Sequence, residues 1–208
     1  KTLLDGVPVA VKDEVDMIPY PTSVGTSFMP QGAATKDAVT VARLRETGAL
    51  LLGKANMHEL GMGVTGINPH HGAARNPYDP RRVTGGSSSG SAACVGAGIS
   101  PMALGADGGG SIRLPAAFCG VVGIKPTFGR VPEGGAAPLC WTVAHLGPIA
   151  ATALDAWAGY VAMTGPIEGD EIALMQPPEQ LNWPSTNGLE GKKIGIFRPW
   201  TSDTDDDV

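Results

Sequence analysis

Residues 84–115 constrain this chain more than any other stretch, because they hold two clusters of small residues that the apolar sequence between them does not allow to be a linker. The first cluster is Gly85-Gly86-Ser87-Ser88-Ser89-Gly90-Ser91 and the second is Gly108-Gly109-Gly110-Ser111. Glycine/serine linkers stay polar. Here Ala92, Ala93, Val95, Ile99, Met102, Ala103 and Leu104 require burial beside the serines. The pattern predicts a small-residue helix over 89–98 and a buried strand over 101–107, so both clusters are held at the edge of a core. Glycines at this density let a ligand approach the main chain closely.

A Gly-Gly-Gly-Ser that follows a strand suggests two things at once: a serine nucleophile, and bare amides aimed at the oxygen where charge would develop. Taken alone, the same string describes a tight turn. A serine hydroxyl also needs a base before it attacks. Upstream, the apolar run Val7-Pro8-Val9-Ala10-Val11 ends in Lys12-Asp13. A solvated lysine is an ammonium at neutral pH and cannot serve. One at the end of a buried strand is placed to shed that charge. A lone lysine at a strand end would more simply snorkel to water.

Lys12, the Gly-Gly-Ser at 87 and the nucleophile position at 111 together resemble the amidase signature family, in which a lysine and two serines form the catalytic triad. Further strings agree with it: Leu52-Gly53-Lys54-Ala55-Asn56-Met57-His58-Glu59, Arg75-Asn76-Pro77, and residues 123–131. Within that family, Asp16-Met17-Ile18-Pro19-Tyr20-Pro21-Thr22, residues 56–63 and Asp107-Gly108-Gly109-Gly110-Ser111 resemble the plant-type fatty acid amide hydrolases. Ala106 departs from the pattern, standing where a threonine is usual. The likeness runs over almost the whole chain.

The resemblance implies an amide hydrolase in which Ser111 attacks the carbonyl and Ser87, behind a cis peptide bond, bridges to Lys12. It implies backbone N–H groups of Gly108, Gly109, Gly110 and Ser111 as oxyanion donors, and Gly61 beside the substrate. The expected substrate is a small acyl amide such as a fatty acyl ethanolamide. The residues alone leave Ser88, Ser89 and Ser91 open as the bridging serine. Two alternatives stand beside the hydrolase: a glutaminase of the glutamyl-tRNA amidotransferase type, and an inactive fragment.

The expected fold is α/β, a mixed sheet flanked by helices. Residues 1–208 are read as part of an amidase signature domain whose other parts lie outside them, given the start at Lys1 and the acidic 203–207. Strands are expected at the end of 1–12, at 49–54 (buried), 121–125 and 192–197. Asp37 is placed to cap a helix ending near Thr47 before Gly48. Thr152 and Asp155 open a second helix with an apolar stripe of Leu154, Trp157, Ala158, Val161 and Ala162. Residues 126–146 read as irregular and 166–191 as a surface excursion.

Other readings are weaker. Gly61-Met62-Gly63-Val64-Thr65-Gly66 fits a dinucleotide fingerprint without its strand-to-helix setting. His58-Glu59 lacks a second histidine at Met62, and the adjacent His70 and His71 cannot share a helix face. No metal and no cofactor are expected. A net charge of −5 without a basic run argues against nucleic acid. No stretch approaches the ~20 apolar residues of a membrane span. Cys94, Cys119 and Cys140 have neither paired nor metal-ligand spacing, which fits reduced, buried thiols and an intracellular setting. A homodimer, and peripheral membrane contact through regions outside this chain, are left open.

Overall fold

The computed structural model of the chain describes residues 2–29, 32–174, 176–177, 182, 190–200 and 202. Its centre is a five-stranded mixed sheet of β1 (Pro8–Lys12), β2 (Leu50–Ala55), β3 (Met102–Asp107), β4 (Val122–Gly123) and β5 (His145–Ala150), in the order β2-β1-β3-β5-β4. β1 is parallel to both β2 and β3, whereas β5 is antiparallel to β3 and β4. The parallel connections are made by helices α1 (Val39–Glu46) and α2 (Ser89–Gly96). Further helices are α3 (Arg113–Phe118), α4 (Ala153–Met163) and the short α5 (Glu171–Leu174).

β3 is buried along its whole length, as its Ala/Gly/Leu composition requires of a strand covered on both faces. One core, with Val9, Val11, Leu104, Leu146 and Met163, lies towards α1 and α4. The other, with Ala10, Ala92, Ala103, Ile112 and Ile149, lies towards α2 and α3. Alternate residues of β1 and β3 therefore feed opposite faces, the period-2 pattern of a strand. α2 can sit close to the sheet because its contact face is serine and alanine: Ser91 Oγ donates to Leu104 O at 2.9 Å and Ser88 Oγ to Ala106 O at 3.1 Å.

Several expectations need correction. β2 is an edge strand, with Leu50 57% and Leu52 47% exposed, so its apolar run does not mean full burial. Asp37 does not cap α1; Ala38 occupies the cap position, while Asp37 accepts from Ile18 N at 2.8 Å and pairs with Arg45 at 2.6 Å. Thr152 does cap α4, accepting from Asp155 N at 3.1 Å. The buried side of α4 is Ala156, Gly159, Tyr160, Ala162 and Met163; of the predicted stripe Ala162 is buried and Trp157 and Ala158 pack partly buried against the core, while Leu154 faces out. A Cβ on Gly159 would lie 2.3 Å from Met102 Sδ, so the close approach to the sheet leaves no room for a side chain at that position.

β5 lies partly inside the stretch read as irregular. Residues 192–197 form no strand and are exposed; a strand gains its stability from the ladder it joins, and the described sheet ends at β2 and β4. Part of 166–191, including Pro178 and Pro184, lies outside the described residues.

Candidate active site

β1 and β3 run side by side in the same direction, so their C-terminal ends bring Lys12 and Asp107 to one edge of the sheet. The turn before α2 arrives at that same edge. Lys12 is 1% exposed, and its Nζ lies 2.8 Å from Ser87 Oγ, 3.4 Å from Ala106 O and 2.7 Å from Glu14 Oε2. The Gly86–Ser87 peptide is cis, and the two glycines before Ser87 have no room for a side chain. A Cβ at Gly85 would stand 2.9 Å from Pro115 Cα, and one at Gly86 would stand 2.8 Å from Gly66 N.

The neighbouring serines have other work. Ser88 Oγ exchanges bonds with both Ala106 O and Ala106 N, Ser89 Oγ donates to Asn56 O at 3.3 Å, and Ser91 is spent on Leu104 O. They stitch α2 to the sheet, leaving Ser87 to meet the lysine.

The second cluster forms the turn from β3 into α3, and Asp107 organises it. This fully buried carboxylate accepts from Gly110 N at 2.7 Å, Ile112 N at 3.1 Å and Arg113 N at 3.2 Å, and from Arg113 Nε and Nη2 at 2.9 Å each. Burial by itself would raise its pKa, but the Arg113 guanidinium and the three backbone donors outweigh burial and hold it below the usual carboxylate range. Gly110 therefore stands apart from its neighbours. Its N–H is committed to Asp107, and it does not line the cleft, so it is not available as an oxyanion donor. The N–H groups of Gly108, Gly109 and Ser111 have no acceptor among the described residues.

A cleft of about 360 Å³ opens above these groups, and Lys12, Ser87, Gly108, Gly109, Ser111 and Gly61 all line it. Gly61, at φ +66°, lies over Ser87: a Cβ there would come 3.5 Å from Ser87 Oγ and 3.0 Å from Leu139 Cδ1. Residues 61–64 of the fingerprint-like segment thus serve as a cleft wall. Leu60, Met62, Val64, Leu139 and Val143 make the remaining lining largely apolar, with Cys140 among them; Cys140 is exposed at the cleft and Cys94 half-buried, so of the three thiols Cys119 alone has the expected burial. The thiol of Cys119 lies behind the site, donating to Thr84 O at 3.5 Å, and burial pushes its pKa up to about 11.

A family model described as Amidase matches residues 1–208. The chain belongs to the amidase family. As an amidase-family chain it is 44% identical over 207 residues to the fatty acid amide hydrolase of Arabidopsis thaliana, covering 97% of itself and 34% of that protein. Among solved structures it is similar to the native peptide amidase from Stenotrophomonas maltophilia, with a TM-score of 0.82, 37% identity and coverage of 86% of this chain and 38% of that one. It is also similar to a glutamyl-tRNA(Gln) amidotransferase chain from Thermotoga maritima, with a TM-score of 0.78, 38% identity and coverage of 81% and 38%. The chain spans about a third of the length of the curated relatives it matches.

Sequence reasoning missed Glu14 in this amidase-family site. No periodicity marked it, because residues 13–14 lie in a turn, closed by Val15 N donating to Lys12 O at 3.1 Å, that folds Glu14 back onto Lys12. Asp13 turns the other way, to Lys54 at 3.1 Å and Ser23. The wall residues Leu139, Cys140 and Val143 were also missed, because the stretch that carries them has no regular periodicity to mark it.

Proposed function

We propose that this chain carries the catalytic centre of an amidase that hydrolyses the C–N bond of an acyl amide through Lys12, Ser87 and Ser111. The observation that carries the reading is the 2.8 Å contact between Lys12 Nζ and Ser87 Oγ in a buried site opening on the cleft that Ser111 also lines. Ser111 Oγ attacks the carbonyl carbon. Its proton passes to Ser87, whose own proton passes to the Lys12 amine. The oxyanion forms where the N–H groups of Gly108, Gly109 and Ser111 can meet it, a kind of contact worth about 3–4 kcal/mol of barrier when one donor is removed from such a site. The proton returns along the same route to the departing amine, and water then cleaves the acyl-enzyme. The apolar cleft wall and the likeness to plant fatty acid amide hydrolases favour a fatty acyl ethanolamide over glutamine as substrate.

The test is made on the full-length protein. A fluorophosphonate probe is expected to leave its adduct on the peptide containing Ser111, and Ser111→Ala to abolish both labelling and turnover. Lys12→Ala is expected to lose about 10²–10⁴-fold in rate, the range of general base catalysis. An adduct on Ser87 or Ser88, or a Lys12→Ala variant near wild-type rate, would overturn the assignment. Release of ammonia from glutamine with no cleavage of acyl ethanolamides would move the protein to the amidotransferase reading.

A further inference from the structure

Among the described residues the Lys12 amine has three polar neighbours, and only one of them belongs to the proton route above. Besides Ser87 Oγ at 2.8 Å it faces the Ala106 carbonyl at 3.4 Å and the Glu14 carboxylate at 2.7 Å. The Lys12 and Glu14 side chains are 1% and 5% exposed. Glu14 lies just beyond β1, is tied down by Ala137 N donating to its carbonyl at 2.9 Å, and lines the catalytic cleft.

A neutral amine has two N–H bonds and one lone pair, and neither the carboxylate nor the carbonyl can donate to it. Both can only accept, so they take the two N–H groups. The lone pair is left pointing at Ser87, which is the direction a base must face. When the proton arrives, the new ammonium already has an acceptor on each side. A base oriented by a third group is the general arrangement for activating a hydroxyl nucleophile.

We infer that Glu14 is a positioning residue for this reaction, aiming the Lys12 lone pair at Ser87 and stabilising the ammonium that forms there. It acts through Lys12, which its carboxylate meets at 2.7 Å. The other charges near the site are already engaged. Asp107, at the end of β3, is paired with Arg113 of α3; Glu133 faces His145 Nδ1 of β5 at 3.1 Å; and Asp13 is paired with Lys54 of β2. Among the described residues Glu14 is the anion in direct contact with Lys12.

The inference rests on the Lys12–Ser87–Ser111 reading, and the experiment separates the two. The pH dependence of kcat and KM is measured for full-length wild type, Lys12→Ala, Glu14→Gln and Glu14→Asp, with thermal melts to establish folding. Glu14→Gln keeps the shape and removes the charge. Its kcat is expected to fall by about 10²-fold, the lower end of what a general base contributes, with KM little changed. The rising limb of its pH profile is expected to move to lower pH, because the amine no longer sits against an anion. Glu14→Asp keeps the charge, so its limb stays at the wild-type pH while kcat falls less. If Glu14→Gln does not fold, the aspartate variant alone decides: a limb at the wild-type pH supports the role, and a shifted limb overturns it. A folded Glu14→Gln with wild-type kcat and an unmoved limb also overturns it. If Lys12→Ala remains active, the failure belongs to the underlying reading.

Discussion

At the residue scale, the turn that carries Ser111 depends on a buried carboxylate. Asp107 binds Arg113 and three backbone N–H groups of the turn that carries Ser111. Its lowered pKa makes it a source of stability that is fully present above about pH 4, the unfolded value for an aspartate, and lost as the pH falls through the folded value below that. Asp107→Asn removes this contribution and leaves donors without an anion. The expected cost is about 3–5 kcal/mol for breaking a buried pair, towards the lower end because Arg113 is itself 57% exposed. Urea unfolding at pH 7 and pH 3 should show the loss at neutral pH and a smaller difference from wild type in acid. Ala106 and Glu14 sharpen the same point. At Ala106 it is the carbonyl that meets Lys12 and Ser88, and no residue-type argument identifies a backbone acceptor.

At the scale of elements, the sequence was informative where local chemistry decides the outcome. Thr152 and Asp155 spell the start of α4, and the bond from Asp155 N to Thr152 Oγ1 is there at 3.1 Å. Thr152→Ala is expected to cost about 1 kcal/mol, measurable as a lower denaturation midpoint with an unchanged slope. Asp37 carries the same kind of signal before α1, but Ile18 N and Arg45 compete for its carboxylate and win. β5 escaped notice because His145-Leu-Gly-Pro-Ile-Ala contains two strand breakers. Both have reasons visible only in three dimensions. The Pro148 carbonyl accepts from Ile124 N, so the N–H it lacks falls on the side where the ladder with β4 has ended, and β3 loses nothing. Gly147 leaves room for the chain leaving β4, since a Cβ there would sit 2.3 Å from Ile124 O.

At the scale of the whole molecule, α/β class and the main strands follow from apolar patterning, while strand order does not. Nothing in the runs of β1, β2 and β3 states that β1 lies between the other two, or that β2 is left at the edge. That arrangement gives a graded prediction for amide hydrogen exchange. β3, paired on both sides and buried throughout, should exchange only through global unfolding. β2, paired with β1 alone in the described sheet, should exchange faster through local opening. Equal protection of the two strands would contradict the topology.

The bond from Lys12 to Ser87 joins positions 75 residues apart in the chain, and its acceptor is held in place by α2 stitched onto β3. Contacts that distant form late, because closing a long loop must precede any reward for it. A ribosome-bound or half-folded copy accordingly has serines and a lysine but no base next to a hydroxyl, and every solvated lysine in it is charged. On the proposed Lys12, Ser87 and Ser111 reading, an incompletely folded copy is expected to stay unlabelled by a fluorophosphonate probe and to label only once the sheet has closed.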